Sequence, residues 1–199
     1  MDKHLDNPDG FVLVGVILLL LILVFIGLTA STTTNIEMQI ANNDMLYDTA
    51  FYNADGGTEA GSWLLEQNLS CPGGFASQII NGNIGMEAAS LAFWKNSAIA
   101  TPPPPAVSDA LRDAYFPQNY QTNNTSSHTN LRFGGMAQAT KGSGFQMIAG
   151  YEGKGKGAAG GGASIMYDVY SQGVEKNNAQ STVDIKWLHV VGQEGDCLY

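Results

Sequence analysis

The most suggestive chemical motif of this 199-residue chain is a glycine-rich stretch, Gly150 to Gly162, with the sequence GYEGKGKGAAGGG. A GxGxxG string begins at Gly155, and Lys156 completes most of a phosphate-binding loop. A phosphate loop must open a helix whose first amide groups face the phosphates, whereas the segment that follows here, IMYDVY, is β-branched and aromatic. We therefore interpret the stretch as a hairpin loop rather than a nucleotide site.

The remaining reactive side chains form no catalytic constellation. His4 lies in the N-terminal leader, His128 in a polar loop and His189 in a predicted strand. A carboxylate beside His189, from Asp184 or Asp196, would make a structural hydrogen bond. No pair of carboxylates stands out for acid–base work, and the sequence shows no activated nucleophile. We predict no enzymatic activity, no metal and no cofactor.

The chain has two cysteines, Cys71 and Cys197. Outside the cytoplasm a lone pair normally forms a disulfide, and we predict one here. A bridge that closes so long a loop stabilises a fold by about 4–5 kcal/mol on the chain-entropy model. Two buried thiols and half of a metal site are the alternatives, although neither cysteine has a second Cys or His at ligand spacing.

The charge balance excludes two classes of partner. The chain has 18 acidic and 9 basic side chains, and its isoelectric point is near 4.5. Nucleic acids and anionic membrane surfaces both attract clustered Lys and Arg. We therefore expect neither as a partner of the polar part of the chain.

A long apolar run dominates the N-terminus. Residues Phe11 to Ala30 include no charge, no amide and no proline, and a ten-residue leader, residues 1–10, precedes them. In helical geometry this run spans roughly 30 Å, the thickness of a bilayer's hydrocarbon core. A cleaved secretory signal is the alternative, but its apolar region covers only about 7–15 residues. No Lys or Arg lies between Lys3 and Lys95, which favours a cytoplasmic N-terminus.

The helix is predicted to continue beyond the membrane, over residues 31–67. Neither proline nor glycine interrupts Ser31 to Asp55, and apolar residues recur there at near-helical spacing. Gly56 and Gly57 each cost about 1 kcal/mol in a helix, so the sequence leaves open whether the helix breaks there. Several acidic residues have no basic partner on this helix, so it should depend on packing against its own domain and neighbouring chains: Glu37, Asp44, Asp48, Asp55, Glu59 and Glu66.

The rest of the chain, residues 68–199, is predicted to form one globular domain outside the membrane. Residues 68–130 should hold loops and short helices, the helices at Met86–Lys95 and Ser108–Phe116 and the loops at 71–84 and 118–130. Residues 131–199 should form a sheet. The candidate strands are 131–139, 145–151, 165–172 and 181–191. Short connections favour antiparallel pairing, so the expected fold class is α+β, a long N-terminal helix on a C-terminal antiparallel sheet.

The N-terminal pattern resembles that of type IV pilins. A short hydrophilic leader ends in Gly10, and Phe11 begins the apolar helix, which is similar to the class III signal that a prepilin peptidase cuts after the glycine. The continuation, STTTNIEMQIANNDMLYDTAFYNADGGTEAG, resembles the N-terminal region of PilX-type minor pilins. This resemblance covers about the first 65 residues, and its matching positions are Thr34, Glu37, Met38, Ala41, Asn42, Ala50, Phe51, Ala54 and Gly57.

The resemblance implies a course of maturation and assembly. The peptidase would cut between Gly10 and Phe11, and the new N-terminus would be methylated. The chain would wait in the inner membrane as a single-pass protein and then join an extracellular pilus, where its helix contacts other pilins and minor pilins. A tip adhesin is a further partner that the resemblance implies. It also implies a disulfide between Cys71 and Cys197, similar to the one that many pilins place near the C-terminus.

Position five of the mature chain departs from the pattern of major pilins. Major pilins have a glutamate there, which pairs with a neighbour's N-terminal amine, whereas this chain has Gly15. The resemblance therefore implies a minor pilin that helps initiate or cap type IV pilus assembly and supports pilus-dependent adhesion or motility. The leader is also net acidic rather than basic. The alternatives are a pseudopilin of a type II secretion system and an uncleaved single-span anchor with a periplasmic binding domain.

Overall fold

The computed structural model of the chain describes residues 8–71, 73–75, 79–80, 83–87, 94, 106–120, 126–139, 163–190 and 196–197. Several predicted features lie outside these ranges: most of the leader, the polyproline stretch 101–105, the strand 145–151 and the glycine-rich stretch 150–162. The chain forms two compact units, Met1–Met45 and Leu46–Tyr199.

One long helix, α1, covers Pro8–Ser70 and contributes to both units. It includes the whole predicted range 11–67 and extends it by one turn at the C-terminal end. The helix continues through Gly56 and Gly57 without interruption, which answers the question that the sequence left open. The reason lies in the second unit, where Gly57 allows a close approach between helix and sheet.

The second unit contains a six-stranded antiparallel sheet whose spatial order follows the chain order. Each strand therefore pairs with its neighbour in sequence. The last three strands are long and in register over nearly their whole length, with Tyr167 opposite Gly135 and Trp187. The strands are β1 Ile79–Ile80, β2 Ile84–Met86, β3 Ala114–Phe116, β4 His128–Ala139, β5 Ala163–Val174 and β6 Gln180–Val190. The predicted α+β layout is confirmed.

The second half of α1 packs against the sheet through its smallest residues. Ala50, Ala54, Gly57 and Gly61 are buried and recur at spacings of four and three, so they lie on one face of the helix. A Cβ atom at Gly61 would lie 2.7 Å from Val169 Cγ1, which is closer than real side chains approach. The helix backbone therefore rests almost directly on β5.

The hydrophobic core of the second unit is centred on Trp94, whose side chain is fully buried. Its rings stack on Phe75 at a centroid distance of 5.8 Å and meet the edge of Phe133 at 5.2 Å. Its indole nitrogen donates a hydrogen bond of 3.1 Å to the Asp113 carbonyl oxygen, so the polar atom is satisfied. Other members of the same core are Leu64, Leu65, Met86, Ala114, Leu131, Tyr167 and Val169.

The predicted helix at Ser108–Phe116 is wrong. Ser108 and Leu111 exchange two backbone hydrogen bonds, of 3.1 and 2.9 Å, and close a tight turn. The segment then becomes β3, in which Ala114 pairs with Leu131 and Phe116 with Thr129. A polar residue before apolar ones resembles a helix cap in sequence, but pairing with β4 satisfies the same backbone groups.

Two other boundaries also differ from the sequence predictions. Met86, which is predicted to begin a helix, instead ends β2, where it pairs with Ala114. The structure describes two other residues of that predicted helix, Glu87 and Trp94, and Glu87 is not helical. The predicted loop 71–84 contains β1 and the start of β2. The predicted loop 118–130 ends early, because β4 already begins at His128.

The β5–β6 hairpin turns at Asn177 and Asn178. Both residues have positive φ angles, of 58° and 59°. Two successive positive φ angles are what a type I′ hairpin turn requires, and asparagine tolerates them better than most residues. The turn closes with a hydrogen bond of 3.3 Å from the Ala179 amide to the Lys176 carbonyl oxygen.

Candidate functional site

The N-terminal unit presents an almost uninterrupted apolar surface. Large apolar side chains from Phe11 to Leu28 are all about half exposed or more, and Phe11 is 82% exposed. By length and composition, α1 is one helix among the described residues that could cross a membrane. Exposed apolar area of this extent is not stable in water and must contact lipid or other apolar helices.

Threonine hydroxyls extend this apolar surface at its C-terminal end. Thr29 Oγ1 donates to the Ile26 carbonyl oxygen at 2.9 Å, and Thr33 Oγ1 donates to the Thr29 carbonyl oxygen at 3.0 Å. Thr34 bonds back to Ala30 in the same way. A hydroxyl satisfied by its own helix can enter an apolar environment at low cost. The segment that tolerates such an environment therefore reaches Thr34.

The predicted cleavage and assembly positions lie together near the start of α1. Gly10 and Phe11 are both exposed and helical, and Gly15 lies one turn further on. A Cβ atom at Gly10 or Gly15 would meet no heavy atom within 4 Å. Packing within the chain therefore does not require glycine at either position, and the absence of a glutamate at Gly15 has no steric cause inside the chain.

In the second unit, the exposed surface of α1 is aromatic and acidic. Tyr47, Phe51 and Tyr52 are exposed, and the rings of Phe51 and Tyr52 meet edge to face at 5.8 Å. Asp48 and Asp55 are exposed on the same stretch of helix, and no Lys or Arg occurs in α1. Amphipathic aromatic groups are typical of protein interfaces, so this face is suited to a partner surface.

The two cysteines are joined in the structure. Cys71, the residue after α1, forms a disulfide with Cys197 across a sequence separation of 126 residues. Cys71 is buried, whereas Cys197 is exposed. The bridge therefore ties the end of the helix to the C-terminal end of the chain.

A buried carboxylate fixes the helix to one end of the sheet. Glu175 accepts a hydrogen bond of 2.7 Å from Asn53 Nδ2 of α1, and its second oxygen accepts one from the Ser127 hydroxyl. At the other end of β6, His189 Nδ1 lies 3.5 Å from Glu66 Oε2. The prediction that Asp184 is a partner of His189 is wrong, because strand alternation places Asp184 on the exposed face of the sheet.

A polar network lies on the face of the sheet away from α1. His128 Nε2 lies 2.7 Å from Asp109 Oδ1, and His128 Nδ1 lies 3.0 Å from the Ser126 carbonyl oxygen. Each ring nitrogen of His128 therefore lies within hydrogen-bond distance of an oxygen atom. Asn130, which is fully buried, donates 2.6 Å to Asp109 Oδ1 and 3.1 Å to Gln172 Oε1.

Arg112 continues this network away from Asp109. Its guanidinium pairs with Glu87 at 2.8 Å, donates to Asn130 Oδ1 at 3.0 Å and to the Tyr120 hydroxyl, and lies 3.9 Å from the ring centre of Tyr115. Burial lowers the pKa of Arg112, but its hydrogen bonds and acidic partners outweigh burial and raise it above the ordinary value. The guanidinium is thus a permanent charge that fixes Asn130.

Burial raises the pKa of the Asp109 carboxyl, but the hydrogen bonds and positive charges around it lower that pKa by more. Hydrogen bonds from His128 and Asn130 and the positive charges of His128 and Arg112 bring the pKa below its ordinary value. Asp109 is therefore a carboxylate over the whole physiological pH range. The side chain is nevertheless 52% exposed, so the carboxylate also faces solvent.

The sequence did not indicate this network. The sequence places His128 in a loop and does not mark Asn130, Gln172 or Arg112 as functional candidates. One signal is present: within HTNLRF, polar and apolar residues alternate from Asn130 onward, which is the period of a strand with one polar face. No sequence pattern indicates that Asp109 meets this strand.

Tyr167→Phe is expected to stabilise the second unit. The Tyr167 hydroxyl is buried and has no hydrogen-bond partner among the described residues. Its removal should raise the free energy of unfolding by about 1 kcal/mol near neutral pH. Burial raises the pKa of Tyr167 above the ordinary 10.0. Above pH 10 the tyrosine of the unfolded chain ionises while the buried one stays neutral, so the wild-type protein loses stability as the pH rises further, and the phenylalanine variant does not lose it at this position.

The measurement is thermal unfolding of both chains at pH 7 and above pH 10. The variant should unfold at a higher temperature at neutral pH and lose less stability in alkali. Tyr170→Phe is the matched control, because Tyr170 lies half-buried on the opposite face of β5. A lower stability of Tyr167→Phe at neutral pH would show that the hydroxyl has a partner after all.

Comparison with known proteins gives one finding. Residues 9–59 match the family model described as PilX N-terminal. No curated protein and no solved structure matches the chain. The matched range includes Phe11, Gly15, the exposed apolar surface and the small residues that rest on β5 as far as Gly57. Residues 9–59 are therefore similar to the N-terminal region of PilX proteins, which confirms the resemblance of this part of the chain to PilX-type pilins.

Proposed function

We propose that this chain is a minor pilin, cleaved between Gly10 and Phe11, that helps initiate or cap a type IV pilus. The observation that carries the proposal is the exposed apolar surface of residues 11–28 inside the segment that matches the PilX N-terminal region. Such a surface needs an apolar partner, first lipid and later the helices of other pilins. Because both environments are apolar, transfer between them costs little burial energy.

Gly15 supports a minor role rather than a bulk one. Major pilins use a glutamate at this position to pair with the N-terminal amine of a neighbouring subunit. A Cβ atom at Gly15 would meet nothing within 4 Å, so the chain has room for a side chain and lacks only the acid. A subunit without this acid fits a place at or near the tip, where one neighbour is missing.

The orientation and the partners belong to the same proposal. The N-terminus lies in the cytoplasm and the second unit outside, since positive charge between residues 1 and 94 occurs only at Lys3. The acidic and aromatic face around Tyr47, Phe51 and Tyr52 contacts neighbouring minor pilins or a tip adhesin. The proposed contribution to adhesion or motility follows from this position in the pilus.

The decisive test of processing uses Gly10→Val, with Gly27→Val as a matched control further along the same helix. Both glycines have open space around their Cα atoms, so neither change disturbs packing within the chain. We expect intact mass and N-terminal sequencing to show wild type and Gly27→Val beginning at a methylated Phe11. Gly10→Val should keep Met1 and remain in the membrane.

A wild-type chain that begins at Met1, in cells with active prepilin peptidase, would contradict the pilin proposal and support an uncleaved anchor. Deletion of the gene separates the remaining alternatives. Loss of surface pili and of twitching is the expected result. Normal piliation with a defect in protein secretion would instead assign the chain to a secretion pseudopilus.

A further inference from the structure

The second unit contains a cavity with polar side chains in its wall that the proposed pilin function does not use. It has a volume of about 290 Å³ and lies where β5 turns into β6. Its described residues come from the 108–111 turn and from the hairpin, and four of the seven carry an amide or a hydroxyl: Ser108, Asp109, Ala110, Gln172, Val174, Asn178 and Gln180. All of these residues belong to the second unit.

Buried side chains hold the wall of this cavity in place. Asn130, which is completely buried, bonds both Asp109 and Gln172, and Gln172 Nε2 donates 3.0 Å to Gln180 Oε1. His128, whose side chain is 6% exposed, holds Asp109 in place through the contact between His128 Nε2 and Asp109 Oδ1. The polar groups of the wall are therefore set before any ligand arrives, which lowers the entropy cost of binding.

Several polar atoms remain available on the cavity side. Among the described residues, Asp109 Oδ2 accepts no hydrogen bond, although Oδ1 accepts two. Asn178, an exposed residue of the turn, lines the cavity. The Gln180 amide nitrogen and the Ser108 hydroxyl complete a set that can both donate and accept.

The chemistry of this set selects the class of ligand. Among the described residues no Lys or Arg lines the cavity, so the lining lacks the charges that hold phosphate or another anion. The described residues hold no group of three or more His, Cys, Asp or Glu side chains that could bind a metal ion, which disfavours a metal cation. Apolar atoms, including those of Ala110 and Val174, make up somewhat more of the lining than polar atoms do, which suits the apolar face of a ring. Neutral amides and hydroxyls around one carboxylate match the alternating donors and acceptors of vicinal hydroxyl groups.

We propose that this cavity binds a neutral carbohydrate, with one sugar ring in the cavity and a pair of its hydroxyl groups on Asp109 Oδ2. The volume suits a group of that size, at the lower end of small-molecule sites. Asn178 and Gln180 bond further hydroxyls at the rim, and Val174 contacts an apolar face of the ring. This proposal does not depend on incorporation into a pilus.

The test uses the full-length chain in nanodiscs and saturation-transfer NMR. The probes are the methyl glycosides of glucose, galactose, mannose and N-acetylglucosamine. A ring with about a dozen heavy atoms should bind with a dissociation constant in the millimolar range. Asp109→Asn removes a charge-assisted bond and should weaken binding at least about fivefold. Asn178→Gly keeps the positive φ angle, removes the rim amide and should weaken binding about threefold.

Asp184→Asn is the matched control, because Asp184 is an exposed carboxylate of β6 outside the cavity. This variant should bind like wild type, and thermal unfolding should show that all three variants are folded. No transfer to any of the four glycosides, or equal binding by wild type, Asp109→Asn and Asn178→Gly, would overturn the proposal. Binding of the diamine cadaverine without any glycoside would also overturn it, since the carboxylate would then be a cation site.

Discussion

Gly173→Ala is expected to destabilise the second unit by about 3 kcal/mol or more. A Cβ atom at Gly173 would overlap the carbonyl oxygen of Ala50 and come within 3.0 Å of the amide nitrogen of Ala54. Both are backbone atoms of α1, so no side chain can turn away to make room. The helix would have to move off β5, and the contacts of Gly57 and Gly61 would open as well.

The measurement is chemical unfolding of the full-length chain in detergent micelles, followed by tryptophan fluorescence, since Trp94 is buried in the core of this unit. Gly56→Ala is the matched control. A Cβ at Gly56 would meet no heavy atom within 4 Å, so alanine should raise helix stability by roughly 0.5–1 kcal/mol. If Gly173→Ala unfolds at the same denaturant concentration as wild type, the close approach of α1 to β5 does not exist in solution.

The same close approach explains what the sequence could and could not predict about α1. Its apolar run and its near-helical spacing were enough to predict a helix from 11 to 67. The sequence does not predict whether the helix breaks at Gly56 and Gly57, because helix propensity assigns the same free-energy cost to both glycines. In the structure Gly56 is exposed, whereas Gly57 faces Ser171 and Thr129. Tertiary contact offsets the cost at one glycine of the pair.

The sheet was predictable where its strands are long. Alternation in β6 correctly placed Val183, Ile185 and Trp187 on one face, and those residues are more buried than Thr182, Asp184, Lys186 and Leu188 on the other. β1, β2 and β3 contain only two or three residues each. Two or three residues are too few to show a period, so only pairing with a neighbouring strand determines these elements.

The cavity depends on contacts between residues that are distant in sequence. Asn130 meets Gln172 through the register of β4 and β5, and Asp109 reaches Asn130 from a turn where the sequence predicts a helix. Each of these side chains is ordinary on its own. Their arrangement follows from strand register, which the separate strand predictions did not fix. Segment-by-segment interpretation therefore predicted the fold class but not this site.

Loss of the disulfide is the second change with a large expected effect. Cys71→Ala combined with Cys197→Ala should lower the free energy of unfolding by about 4–5 kcal/mol, because the bridge closes a loop between residues 126 apart. Without the bridge the unfolded chain gains the entropy of that loop. The C-terminal end would also be released from the end of α1, whose final turns contribute Leu64 and Leu65 to the core.

The double variant is the informative one, because a single change would leave a free thiol that can react with other chains. Chemical unfolding of wild type, reduced wild type and the double variant separates the cross-link from the side chains. Reduced wild type and the double variant should have nearly the same midpoint, well below that of oxidised wild type. Equal midpoints for all three would mean that the loop is already restricted in the unfolded chain. A larger loss in the double variant than in reduced wild type would measure the packing of Cys71 itself, which is 2% exposed.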